Sequence, residues 1–171
     1  MMIPQEAKVW LTLDLEQVNN QQTWRIITGH FLHTNWNHFL LNTLALIALW
    51  TLHGQYYSLR KLFSEVLITA CLISAALYYF ANIQVYTGFS GVLHGLLVWG
   101  AFQDIQHKDK TGYLLLAGIL IKVVWEQVYG ADPATAELIG ADVAIEAHLS
   151  GTLAGFVYWV GEYAKKQKES I

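Results

Sequence analysis

Five apolar stretches, residues 33–52, 62–80, 89–102, 112–129 and 143–160, fill most of this chain and are joined by short polar connections. A membrane-spanning helix needs about 20 mostly apolar residues, and in lipid each stretch must satisfy its own backbone groups as a helix. Short connections make consecutive stretches antiparallel neighbours. The pattern predicts an all-α fold, a polytopic membrane helix bundle with five visible spans. Charge is as scarce as this requires: Asp, Glu, Lys and Arg make up 13% of the residues, about half the ~25% usual in soluble domains. Trp50, Tyr56, Tyr57, Tyr78, Tyr79 and Trp159 lie near the ends of the stretches, where amphipathic rings favour the membrane–water interface.

The few basic residues are unevenly placed. Arg60 and Lys61 follow the first stretch, Lys108 and Lys110 follow the third, and Lys165, Lys166 and Lys168 follow the last. With antiparallel neighbours, these fall on one side. The other side has Lys8 and Arg25, and its loop 131–142 is acidic. The positive-inside rule makes the basic side cytoplasmic. The chain thus divides into an extracytoplasmic N-terminal segment (1–27), a transmembrane domain (28–163) and a cytoplasmic basic tail (164–171). The segment 9–15 reads as a short amphipathic piece at the outer surface.

Several function classes fall away. A 54% hydrophobic content excludes disorder, because it can offset the entropy of ordering. Ten Lys and Arg against 13 Asp and Glu give a net charge of −3, with no basic face for nucleic acid. The single cysteine, Cys71, excludes an internal disulfide framework and any paired-cysteine metal site.

Polar residues inside apolar stretches are costly, so each is a functional candidate. His38 and Asn42 are four apart and share one helix face; Thr34, Asn35 and Asn37 precede them, and the five would line a wet cavity opening outward. The third stretch begins Gly88-Phe89-Ser90-Gly91-Val92-Leu93-His94-Gly95. This Gly-x-Ser-Gly run lacks the second glycine of a hydrolase nucleophile elbow, since Val92 stands in its place. Gly91 with Gly95 and Gly151 with Gly155 make two small-residue faces. Packing them together brings His148 towards Ser90 at one depth, and a hydroxyl meeting an imidazole in a buried place suggests a nucleophile and its base. No carboxylate lies three or four residues from His148, where it would share a helix face, so the expectation is a Ser–His dyad. Lys122 and Glu126 read as an intrahelical pair in the less favourable order, with a role in a substrate gate as the alternative.

Trp24-Arg25, His33, His38 with Asn42, Gly88-x-Ser90-Gly91, and Ala147-His148 with Gly151 and Gly155, in this order, resemble the rhomboid intramembrane serine proteases. The small size and the run from Ser90 to Gly95 most resemble the rhombosortase branch. The resemblance spans roughly residues 24–160. It implies Ser90 as nucleophile and His148 as base, with oxyanion stabilisation by His38, Asn42 and the Ser90 N–H. Gly88 would keep the preceding loop open, and His94 would stand where many rhomboids carry a tyrosine packed on the catalytic histidine. No cofactor or metal is implied. The implied substrates are membrane-anchored exported proteins with a C-terminal transmembrane helix and a Gly-Gly sorting signal, met in a bacterial inner membrane on its periplasmic side. Rhomboids of this kind have six spans, one of them before the Trp-Arg loop. Either this chain begins downstream of that span or five suffice.

Two other readings compete. A proteolytically inactive rhomboid-like protein would bind membrane clients without cutting them. A metal or haem membrane protein would use His33, His38, His94 and His148 as ligands, but leaves Gly-x-Ser-Gly and the glycine faces unexplained.

Overall fold

In a computed structural model, residues 4–169 are described. The elements in order are α1 (Gln5–Leu11), β1 (Leu13–Asp14), α2 (Leu15–Asn19), α3 (Arg25–Thr28), α4 (Trp36–His53), α5 (Leu59–Phe80), β2 (Val85–Tyr86), α6 (Ser90–Gln106), α7 (Thr111–Tyr129), α8 (Pro133–Ile139) and α9 (Ile145–Glu169). Short 3₁₀ turns at Gly29–Phe31 and Gly54–Tyr56 flank α4. The five predicted stretches correspond to α4, α5, α6, α7 and α9. The last does not stop at the basic tail, for α9 runs on to Glu169. Among the described residues, α5 and α7 are each long and apolar enough to cross a membrane. The other three carry Ser90, His148, His38 and Asn42.

Local chemistry sets the helix ends. The Asn35 side chain caps α4 by accepting from the His38 N–H at 2.9 Å, and Ser58 caps α5 by accepting from the Lys61 N–H at 3.3 Å. Asp132 caps α8 through the Thr135 N–H and hydroxyl, whose hydrogen bonds hold its carboxyl below the usual carboxylate range. Pro133 opens that helix and Gly140, at φ 64°, closes it in the left-handed region.

Helix α6 is central. It is flanked by α4, α5, α7 and α9, and most of its residues are buried. Its most extensive contact is with α9, and the reason is small residues. A Cβ on Gly91 would stand 2.8 Å from the Ala147 carbonyl oxygen. One on Gly151 would overlap the Gly91 carbonyl, and one on Gly155 the Gly95 carbonyl. The glycine faces pack as expected, backbone against backbone.

The polarity of the molecule is inverted. Leu44, Ile47, Leu114, Ile121, Val124 and Val157 point outward, while His30, His53, Glu65, Thr69 and Asp104 are buried. Outward apolar faces on this scale mark a lipid-facing surface. Glu65 and Glu162, to which the sequence assigned no role, are internal ties: Glu65 accepts the Tyr57 hydroxyl at 2.9 Å, and Glu162 accepts Trp99 Nε1–H at 2.7 Å beside Lys61.

The N-terminal segment is part of the body. Arg25 is buried, and its guanidinium donates to the Val9 and Thr12 carbonyls at 2.7 Å each. Trp24 donates to the Trp10 carbonyl at 3.1 Å and stacks on the Trp10 ring. Beyond α1, β1 pairs antiparallel with β2, Leu13 opposite Tyr86. Within the segment read as an amphipathic surface piece, residues 13–14 thus form a short strand with Leu13 buried, because Leu13 fits against Gly29, where a Cβ would come within 2.6 Å.

Candidate active site

Ser90 begins α6 at the centre of the bundle, with no side chain capping that helix end. The loop before it is fixed from three directions. The β1–β2 pair holds Tyr86, the Tyr86 hydroxyl donates to the Gly88 carbonyl at 2.6 Å, and the Gly88 N–H donates to the Gly29 carbonyl at 3.2 Å. Gly88 has φ 144°, a conformation that disfavours side chains, and a Cβ there would lie 3.1 Å from the His38 ring. Only glycine serves there.

Helix α9 brings its histidine to the serine. His148 Nε2 lies 2.9 Å from Ser90 Oγ. The two residues are 58 positions apart, and the glycine contact between their helices makes the approach possible. His94, one turn into α6, stacks on the His148 ring with centroids 4.2 Å apart and planes 12° apart. The His94 Nδ1 lies 2.7 Å from the Ser90 carbonyl oxygen, and since a carbonyl only accepts, this nitrogen carries the proton.

No carboxylate lies three or four residues from His148, and Glu146, two before it, is on another side of the helix, but the fold supplies one from α7. Glu126 Oε2 lies 2.9 Å from His148 Nδ1, and Glu126 Oε1 accepts from Lys122 Nζ at 2.6 Å. The expected intrahelical pair exists, and sequence reasoning missed that it reaches a second helix. The signal was an ionisable residue within an apolar span, which by default needs an explanation.

His38 and Asn42 stand on the facing side of the site. Both are buried, and both line a cavity of about 510 Å³ with Ser90, His94, Lys122, Glu126 and His148. Among the described residues, the Asn42 Nδ2 has no hydrogen-bond partner. An amide donor left idle in a buried cavity is unusual and suits a group that forms later. The His38 Nδ1 edge is held by Thr34, whose hydroxyl lies 3.0 Å away. His33 packs edge-on to His38, with ring centroids 5.0 Å apart.

The predicted polar cluster is only partly a cavity lining. Asn35 and Asn37 each donate an amide to the Leu138 carbonyl at 3.1 Å, and the Thr34 hydroxyl donates to Ile139 at 2.6 Å. These three tie α8 over the start of α4 because the carbonyls at the end of α8 need donors. Thr34 also borders a smaller cavity of about 240 Å³, which meets His38 and Ser90 from the other side.

His94, Glu126 and His148 offer ligand atoms within 4.8 Å of one another and could hold a metal. Both His148 nitrogens are engaged, however, so a metal there would displace either Ser90 or Glu126.

The profile of the rhomboid domain matches residues 20–164. A putative rhomboid protein of Acanthamoeba polyphaga mimivirus is 28% identical over 145 residues, covering 82% of this chain and 76% of its own. Uncharacterized proteins of Mycobacterium bovis and Mycobacterium tuberculosis are each 29% identical over 148 residues, 78% of this chain. The match spans 57% of the length of those mycobacterial relatives. Since the matched residues include the whole of the bundle from α3 to α7 and nearly all of α9, this chain belongs to the rhomboid family, polytopic membrane proteins that are generally intramembrane serine proteases.

Proposed function

We propose that this chain is an intramembrane serine endopeptidase in which Ser90 and His148 form the reacting pair. The observation that carries the reading is the 2.9 Å contact between Ser90 Oγ and His148 Nε2 beside a large cavity. As a substrate carbonyl arrives, His148 Nε2 takes the Ser90 hydroxyl proton while Oγ bonds to the carbonyl carbon. Negative charge on the carbonyl oxygen meets the Asn42 amide and the Ser90 N–H, with His38 beside them in the cavity wall. The tetrahedral species collapses, the C–N bond breaks, and His148 delivers its proton to the departing amine. Water or another nucleophile then releases the acyl group from Ser90.

The substrates are membrane-anchored proteins cut near a C-terminal transmembrane helix, and a Gly-Gly sorting signal of the rhombosortase type fits the site's needs. Helical peptide bonds are protected by their own hydrogen bonds, so the segment must unwind, and each glycine weakens a helix by about 1 kcal/mol relative to alanine. The cavity has walls from both α4 and α7, including Leu41, Ile121 and Trp125, which suit an apolar segment. The site lies at the end of the bundle opposite Arg60, Lys61, Lys108 and Lys165. With the basic end in the cytoplasm, the enzyme would sit in a bacterial inner membrane and act on its periplasmic side.

A fluorescent fluorophosphonate tests this directly on detergent-solubilised protein. Wild type should label, and Ser90→Ala and His148→Ala should not. Folded wild type that never labels would favour an inactive client-binding rhomboid and sink the protease reading.

A further inference from the structure

His148 is gripped from two sides, and one grip comes from a helix that carries none of the residues the resemblance implies. Its Nε2 faces Ser90 Oγ and its Nδ1 faces Glu126 Oε2 of α7, each at 2.9 Å. We propose that Glu126 is a positioning residue for His148, so that the site is a Ser–His–Glu arrangement with Lys122 fixing the carboxylate. This rests on the reading of Ser90 and His148 given above.

The argument begins with proton bookkeeping. A carboxylate can only accept, so the Nδ1 beside it carries the ring proton. Nε2 is then left with its lone pair towards the Ser90 hydroxyl, the tautomer a general base requires. When Nε2 takes the Ser90 proton, the ring becomes a cation inside a weakly polar bundle. The nearby carboxylate stabilises that cation while keeping its own charge; no second proton moves.

The Lys122–Glu126 pair does not by itself account for the geometry. Lysine four residues before glutamate is the weaker order for an intrahelical pair. The two side chains also part company: that of Lys122 is 47% exposed, while that of Glu126 is 10% exposed and turned inward. Each carboxylate oxygen has its own donor, so the group cannot rotate without losing one. The His94 ring covers one face of His148 and restrains its tilt.

This makes a specific variant informative. In Glu126→Gln, Lys122 can only donate and takes the single amide oxygen. The amide NH₂ is left facing Nδ1, which must then accept, and the ring proton moves to Nε2, where it blocks proton uptake from Ser90. The experiment measures fluorophosphonate labelling rates and thermal unfolding for full-chain wild type, Glu126→Gln, Glu126→Asp and Lys122→Met/Glu126→Gln. The expected result is a loss of roughly 10²–10⁴ in labelling rate for Glu126→Gln at little change in unfolding temperature, with an intermediate rate for Glu126→Asp. The double variant frees the amide oxygen for Nδ1 and should regain at least about tenfold over Glu126→Gln. Glu126→Gln labelling within about threefold of a labelling wild type would overturn the proposal and leave the Ser90–His148 pair standing. So would a double variant no faster than the single one. A folded wild type that does not label would overturn both.

Discussion

One methyl group at Gly151 tests whether the glycine contact between α6 and α9 sets the reactive geometry. In Gly151→Ala the new Cβ would overlap the Gly91 carbonyl carbon and oxygen, which are backbone and cannot rotate away. Relief requires α9 to move away from α6 by an amount on the order of 1 Å, to restore ordinary van der Waals separation. Overpacking of this kind destabilises by about 1–3 kcal/mol. The functional effect should be larger, because His148 lies one turn before Gly151 on the moving helix. Its 2.9 Å contact with Ser90 would then open beyond hydrogen-bonding range. A displacement of about 1 Å costs roughly 10² in rate. Gly161→Ala is the control, since a Cβ there meets nothing within 4 Å. The assay is the fluorophosphonate labelling rate beside thermal unfolding in one detergent. Gly151→Ala with the labelling rate and unfolding temperature of Gly161→Ala would refute the reasoning.

Asn42→Ala should lower turnover by roughly 10²–10³ with little change in unfolding temperature, because the Asn42 Nδ2 donor has no partner among the described residues to lose. An equal loss of stability would instead make it a structural amide; kinetics with a cleavable reporter and a melt decide between them. His30 is fully buried, and desolvation pushes its pKa from 6.5 down to about 4. The unfolded chain therefore binds a proton below pH 6.5 that the folded protein refuses until about pH 4. Stability is complete above pH 6.5 and falls by roughly 3 kcal/mol as pH drops through that window. Melts at stepped pH should show the fall in wild type and a smaller one in His30→Gln. Arg25→Met removes two hydrogen bonds from a charged donor, to the Val9 and Thr12 carbonyls, each contributing about 1.5–3 kcal/mol. Limited proteolysis should then cut between residues 5 and 14; resistance equal to wild type would count against the tie.

Much of the bundle was legible because lipid imposes a simple rule. A stretch of apolar residues must close its own hydrogen bonds, so its length and position give the helix. The stretch 112–129 and helix Thr111–Tyr129 agree to one residue at the N-terminal end. Start and stop positions were less legible at α4, where Asn35 turns out to be the cap and Thr34 and Asn37 serve α8. The strand at Leu13–Asp14 carried no sequence signal, since its partner Val85–Tyr86 is about 70 residues away and only two residues pair.

The sequence by itself determined the five helices, the small-residue faces of α6 and α9, and the chemical identity of Ser90, His148, His38 and Asn42. Periodicity and residue type are local properties, and they suffice for these. The tertiary structure alone decided that Arg25 ties down the N-terminal segment, that β1 braces the loop before Ser90, and that Glu126 meets His148 from another helix. Helical spacing could show that Lys122 and Glu126 lie on one side of α7. It could not show which way that side faces, because the rotation of a helix in a bundle is set by packing against all its neighbours at once.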